Sequence, residues 1–171
     1  MSIQSYLRSD TRTFRKEQSV FDFIIYADGA CIGNPGPGGV GVVILNSDGT
    51  VYTECSGTAH DTTNNQMELC AVITALQHCP DGGILVMTDS EYVVKGMTAW
   101  IEGWKDNGWR NSNKKPVANK KLWLQLDGEV QARAGDVTWR WIDRNSPNVS
   151  HLRAHELAEK AARKRAGNRH A

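Results

Sequence analysis

The sequence predicts an α/β domain built on a five-stranded mixed sheet covered by helices. Three observations carry this. Three apolar strands come first and are joined through turns, the pattern of an antiparallel meander. The two later strands are each reached through helix-forming stretches, which is how parallel strands connect. Finally, 171 residues with 40% hydrophobic and 23% charged side chains suffice for one domain with a packed core.

The elements follow in order. Phe21–Ala27 is aromatic and β-branched, and reads as a buried strand. Gly33–Gly39 (GNPGPGG) reads as a rigid turn, because glycine and proline at this density resist a regular element. Val40–Asn46 is a second strand; Ser47-Asp48-Gly49 turns the chain into a third, Thr50–Gly57. Asn64–His78 places apolar residues at helical spacing, and Pro80-Asp81-Gly82-Gly83 ends it. Ile84–Thr88 is short and wholly apolar, as a central parallel strand is. Ser90–Gly108 is helical with a break near Gly96, and Pro116–Arg133 is helical from its proline onward. Asp136–Asp143 alternates as a fifth strand, and Ser150–Arg165 closes the domain as a helix. Residues 1–20 read as a flexible polar arm, 21–166 as the domain and 167–171 as a tail.

Composition narrows the function classes. No apolar run reaches the roughly 20 residues of a membrane span, and the first residues lack the apolar stretch of a secretory signal. Cys31, Cys55, Cys70 and Cys79 form no CxxC pair, so reduced thiols in a cytoplasmic setting are expected. The net charge of +1 conceals a division. Residues 1–99 carry five Lys and Arg against eleven Asp and Glu, net −6; residues 100–171 carry fifteen against eight, net +7. Such a division suits a polyanion bound by the basic part, although two solvated surfaces of opposite sign would give the same count.

Asp28 ends the first strand, Asp89 the fourth, and Glu68 lies near the start of the first helix. Strand ends in α/β sheets are frequent ligand sites. If the first and fourth strands are neighbours, Asp28 and Asp89 lie side by side and repel unless a cation holds them. Hard oxygen ligands suit Mg²⁺ or Mn²⁺, and two such ions can align water and leaving oxygen for phosphoryl transfer. From spacing alone the plainer reading is separate solvated acids, with the helix glutamate placed for the dipole. The glycine turn and Thr62–Gln66 offer backbone and polar groups for a phosphate or sugar, or simply a turn and a helix cap. Trp100–Lys121 interleaves tryptophans with Lys105, Arg110, Lys114, Lys115, Lys120 and Lys121. The basic side chains are expected on phosphates and the tryptophans mainly as scaffold. His151 and His155 stand four apart on the last helix, a spacing that can hold a metal but is more often a surface or half-buried pair.

Together these residues resemble the type 1 ribonuclease H family, bacterial branch. Tyr26-Ala27-Asp28-Gly29-Ala30-Cys31 is similar to its first strand and DGS-C motif, and Gly33–Gly39 to the loop that follows. Thr63-Asn64-Asn65-Gln66-Met67-Glu68-Leu69 resembles the TNNxMEL motif, Thr88-Asp89-Ser90 the TDS motif, and Trp100–Trp123 the basic protrusion. The likeness runs from about Phe23 to Ala166. It implies the ribonuclease H fold, a five-stranded mixed sheet with helices on both faces. It also implies hydrolysis of the RNA strand of RNA–DNA hybrids, leaving 3′-hydroxyl and 5′-phosphate ends. Two divalent ions, Mg²⁺ or Mn²⁺, would sit on Asp28, Glu68, Asp89 and a fourth acid, with Asp28 bridging. Cys31, Gly33, Asn34, Thr63, Asn64 and Asn65 would meet the RNA, through its 2′-hydroxyls and adjoining backbone. The partner would be the hybrid duplex, and the chain a monomer that does not use a membrane.

Three positions depart from the family pattern. A gapless alignment of Trp139-Arg140-Trp141 and Glu156-Leu157-Ala158 puts His155 at the fourth acid, so His155 is expected as metal ligand and catalytic residue, with Mn²⁺ favoured over Mg²⁺. Asp143, Glu156 and Glu159 are nearby acids that each have another expected role. Asn145 stands where many members carry a mobile loop histidine, with Arg144 and His151 as partial substitutes. Glu91 replaces a glutamine that meets substrate. Because of His155, a catalytically weakened hybrid-binding protein is the alternative; a DNA nuclease or transposase on the same fold is a third reading.

Overall fold

A computed structural model describes residues 20–167; the expected arm up to residue 19 and the tail from residue 168 lie outside them. The chain forms β1 (Phe23–Cys31), β2 (Gly36–Asn46), β3 (Val51–Thr62), α1 (Asn64–His78), β4 (Ile84–Thr88), α2 (Glu91–Lys95), α3 (Ile101–Asp106), α4 (Lys120–Gln131), β5 (Val137–Trp141) and α5 (Val149–Gly167). The sheet is ordered β3-β2-β1-β4-β5. The first three strands are antiparallel, and β4 and β5 join in parallel.

The central strands β1, β2 and β4 bury both faces, and the two-residue period of the pleat sorts their side chains. Ile25, Ala27, Val42, Ile44, Ile84 and Val86 point to the side covered by α1 and α4. Ile24, Tyr26, Val43, Leu45, Leu85 and Met87 point to the side covered by α5, where Ala154 is fully buried. The helices therefore lie on both faces, as expected.

Besides β1 and β3, which run on to Cys31 and Thr62, past the expected Ala27 and Gly57, the boundaries differ from expectation at two further places. Gly36–Gly39 is not part of a free turn but the opening of β2, paired to β1 through Ala30↔Gly39 and Cys31↔Gly38. Proline is tolerated here because the β2–β3 register shifts between Gly36 and Gly38, and Pro37 uses only its carbonyl, which accepts from the Ile32 amide at 2.8 Å. The small residues serve packing as well. A Cβ on Gly39 would collide with the carbonyl of Ala158, and one on Gly41 with that of Ala154, so α5 lies directly on this strand.

Pro116–Asn119, expected as helix, is a bridge at Pro116 followed by a turn instead. Arg110 bridges Pro116, and the Val117 amide donates to the Trp109 carbonyl at 3.1 Å, which holds the segment against the preceding loop. The helix begins only at Lys120, after Asn119 at a left-handed φ of 57°. The expected break near Gly96 is a five-residue π turn, Gly96–Trp100, between α2 and α3. The ring of Trp123 lies so close to Gly96 that any side chain there would collide with it.

Candidate active site

Asp28 sits in β1 and Asp89 just past β4. The parallel register pairs Tyr26 with Met87, so both acids lie two residues beyond the same rung. Glu68 reaches them because α1 begins against this sheet end: a Cβ on Gly29 would collide with the backbone of Met67 and Glu68. Helix α1 is fixed there by a capping box, in which the Thr63 amide donates to Gln66 Oε1 at 3.0 Å and the Gln66 amide to Thr63 Oγ1. The side chains of Asp28 and Asp89 are each 3% exposed, and Glu68 is buried as well.

Each acid has partners. Asp28 Oδ1 accepts from the Gly29 amide at 2.9 Å, and Oδ2 meets His155 Nδ1 at 2.6 Å. Glu68 Oε1 accepts from Asn64 Nδ2 at 2.6 Å, and Oε2 accepts from the Ser90 hydroxyl. Asp89 Oδ2 accepts from Arg144 Nε at 2.8 Å, while its Oδ1 is buried with no partner. Burial, and then the charge of Asp89, raises the pKa of Asp28; hydrogen bonding and charge at His155 oppose the rise. Glu68 is also raised, by burial first, against the hydrogen bond from Ser90, with Asp89 and Asp28 adding repulsion. The three acids thus crowd one electrostatic neighbourhood.

His155, carried by α5, is brought to this group. It lies between Asp28 and Glu159, with Nε2 3.6 Å from Glu159 Oε1. Of the three nearby acids, Glu156 is paired to Arg153 at 2.9 Å, Asp143 accepts the Asn145 amide at 2.8 Å, and Glu159, which lies beside the imidazole, is itself paired to Arg163 at 3.0 Å. Asn145 lies on the exposed turn before α5. His151, by contrast, lies in the first turn of α5 and is 2% exposed, so of the two expected substitutes for a loop histidine only Arg144 faces the site.

The polar loop residues gather beside the acids. The Asn64 amide donates to Asn34 Oδ1 at 2.9 Å, which ties the loop after β1 to the start of α1. Cys31 Sγ lies 3.2 Å from the Thr62 carbonyl, and Gly33 adopts a left-handed φ of 81°. Asn65 is exposed in the first turn of α1, and Glu91 is exposed and paired with Lys95.

The basic segment divides. Lys105 lies 2.7 Å from Asp127 and 3.1 Å from Glu102, so its ammonium is committed to holding α3 against α4 rather than free for a phosphate. Arg110 donates to the Lys114 carbonyl at 2.7 Å and braces the loop. Lys114, Lys115, Lys120 and Lys121 carry no carboxylate partner among the described residues. The tryptophans are scaffold, as expected: Trp104 packs edge-on against buried Trp123 at 5.2 Å and tilted against Trp100 at 5.7 Å.

Sequence reasoning missed the two groups that hold Glu68, Ser90 and the Asn64 carboxamide, and the Arg144–Asp89 pair. A serine directly after a strand-end acid, at the N-cap of the next helix, was a usable signal for the first.

The chain belongs to the ribonuclease H family, whose sequence profile matches residues 21–164. Membership makes it a hydrolase that depends on divalent metal ions. Ribonuclease H of Roseobacter denitrificans is 49% identical over 142 residues, covering 80% of this chain and 93% of that protein. LC9-RNase H1, a type 1 RNase H with the type 2 active-site motif, is 30% identical with a TM-score of 0.73, covering 84% of this chain and 72% of that one. LC11-RNase H1, solved in complex with RNA/DNA hybrid, is 31% identical with a TM-score of 0.65, covering 83% and 97%.

Proposed function

We propose that this site hydrolyses the RNA strand of RNA–DNA hybrids, leaving 3′-hydroxyl and 5′-phosphate ends, with Asp28, Glu68, Asp89 and His155 as the residues that hold two divalent cations. The observation that carries it is the unpartnered Oδ1 of Asp89, buried among three mutually repelling acids. A hard cation satisfies that oxygen and offsets the repulsion, so the donor set fits the group. Among the described residues no three such side chains stand preassembled around one point. The site would therefore close on its cations by side-chain rotation. Bound cations supply charge neutralisation for attack of water on a phosphodiester.

The chain's own groups define the rest. Ser90 and Asn64 orient Glu68, and the Gly29 amide orients Asp28. His155, with Nδ1–H donated to Asp28, keeps its lone pair on Nε2, the nitrogen able to bind a cation; the contact to the carboxylate fixes the ring's orientation. Imidazole suits Mn²⁺ better than Mg²⁺, so Mn²⁺ supports the reaction better. Asn34, Asn64, Asn65 and Thr63, with backbone at Cys31 and Gly33, line the path of the RNA, and Glu91 stands at its edge. Lys114, Lys115, Lys120 and Lys121 take phosphates. Two lysines in the first turn of α4 oppose its dipole, a local cost that a bound phosphate would remove. The enzyme acts as a monomer in the cytoplasm, which the four free thiols support. No helix among the described residues is long and apolar enough to cross a membrane.

The test is cleavage of labelled RNA–DNA, RNA–RNA and DNA–DNA duplexes with Mg²⁺, Mn²⁺ or EDTA. Cleavage of the hybrid alone, faster in Mn²⁺ and absent in EDTA, is expected. Asp28→Asn abolishes it while hybrid binding persists. Binding without cleavage in either ion would favour the catalytically weakened hybrid binder instead.

A further inference from the structure

Arg144 is not needed for any step above, yet its guanidinium lies on a central acid. It follows β5 in a turn shaped by Asp143, whose Oδ1 accepts the Asn145 amide at 2.8 Å and whose carbonyl accepts the Ser146 amide at 2.9 Å. The two members of the pair are unlike. Asp89 is fixed at the end of a buried strand with its side chain 3% exposed, whereas the Arg144 side chain is 67% exposed and reaches in from solvent. The other Asp89 oxygen is bare. Asp28 and Glu68 also act on the guanidinium.

We propose that Arg144 is a movable counter-ion: it neutralises Asp89 until a divalent cation takes that carboxylate, and then turns outward to bind a phosphate of the RNA strand. This rests on the functional reading above. A carboxylate that must serve a cation binds it less tightly while a guanidinium holds one of its two oxygens and offsets its charge. A long, solvated side chain is the member that can leave, and guanidinium is suited to phosphate by its planar donor fork. The exchange keeps the Asp89 carboxylate compensated in both states. It also places a cation at the mouth when the anionic substrate arrives.

The experiment uses the full chain with Mg²⁺ or Mn²⁺ alone, without nucleic acid. The thermal midpoint is followed as the ion is titrated, for the wild type, Arg144→Ala and Arg144→Lys. Arg144→Ala is expected to melt lower in EDTA and to reach half of its ion-induced rise at about fivefold less metal. Arg144→Lys falls between. At saturating metal, Arg144→Ala raises KM for the hybrid more than it lowers kcat. A metal midpoint for Arg144→Ala equal to or above that of the wild type overturns the proposal, as does a loss confined to kcat. If the wild type neither responds to the ion nor cleaves hybrid, the functional reading fails and this proposal with it. If the wild type does both and the variant's midpoint does not move, only the role of Arg144 fails.

Discussion

A carboxylate buried beside another carboxylate is a group whose ionisation opposes folding. Asp28 is such a group: burial and Asp89 raise its pKa above the ordinary 3.8, with His155 giving partial relief. The folded protein then holds a proton that the unfolded chain has released. Stability is greatest below the ordinary value and falls as pH rises through the raised one. In EDTA, Asp28→Asn is therefore expected to melt a few degrees above the wild type at neutral pH, the difference closing towards pH 4. Thermal melts across that range, with no metal, check it; a variant less stable than the wild type at pH 7 would refute the electrostatic account. His155→Asp works in the opposite direction. A fourth acid joins the group and the imidazole contact to Asp28 is lost, so metal-free stability drops while Mg²⁺-supported cleavage rises, measured as Tm in EDTA and initial rate in Mg²⁺. Asp28, Glu68 and Asp89 each stand at the junction of a buried element and a loop, a spacing that alone favoured separate solvated acids; the family motifs around them are what singled them out. The partners of Glu68 and Asp89 were less legible. Ser90 comes 22 positions after Glu68, and Arg144 comes 55 after Asp89. Such meetings depend on how the elements are stacked and how each side chain turns, which local spacing does not encode.

At the scale of elements, the apolar periods placed α1 and β4 at their observed limits, since each buries a continuous face against the sheet. Gly36–Gly39 and Pro116–Asn119 were misread for one reason. Local propensity says what a segment resists in isolation, while pairing across the sheet or to a neighbouring loop decides what it adopts. The glycines of β2 answer a tertiary demand, the close seat of α5. That helix carries His155, so the same contact sets the imidazole beside Asp28. Gly41→Ala puts a methyl into the Ala154 carbonyl and must lift the helix. It is expected to cost about 1–3 kcal/mol, read as a Tm lower by roughly 5 °C. Cleavage should fall further than stability alone explains, measured at a temperature where the variant is folded. Gly57→Ala on the neighbouring strand meets only the Val40 side chain and serves as the control, with a smaller loss of stability and full activity.

Across the whole molecule, the division of charge into −6 and +7 resolves into different tasks. Part of the acidic share is the buried trio, compensated from the basic half by Arg144 and by the imidazole of His155. Part of the basic share is structural, since Lys105 joins α3 to α4 and Arg153 joins α5 to Glu54 on β3. What remains for a polyanion is the unpaired group at Lys114, Lys115, Lys120 and Lys121. Each lysine that neutralises a phosphate displaces a counter-ion, so binding weakens with salt by nearly one logarithmic unit per contact for each decade. Replacing all four by alanine is therefore expected to weaken hybrid binding at low salt and to flatten the dependence of log Kd on log salt by about 2–4 units. Lys105→Ala should change that slope by less than about 0.5, because its charge is already spent on Asp127 and Glu102, and should instead lower Tm. Equal slopes for the wild type and the quadruple variant would place the phosphate grip elsewhere on the surface. A large slope change from Lys105→Ala alone would mean that its ion pairs open when the duplex binds.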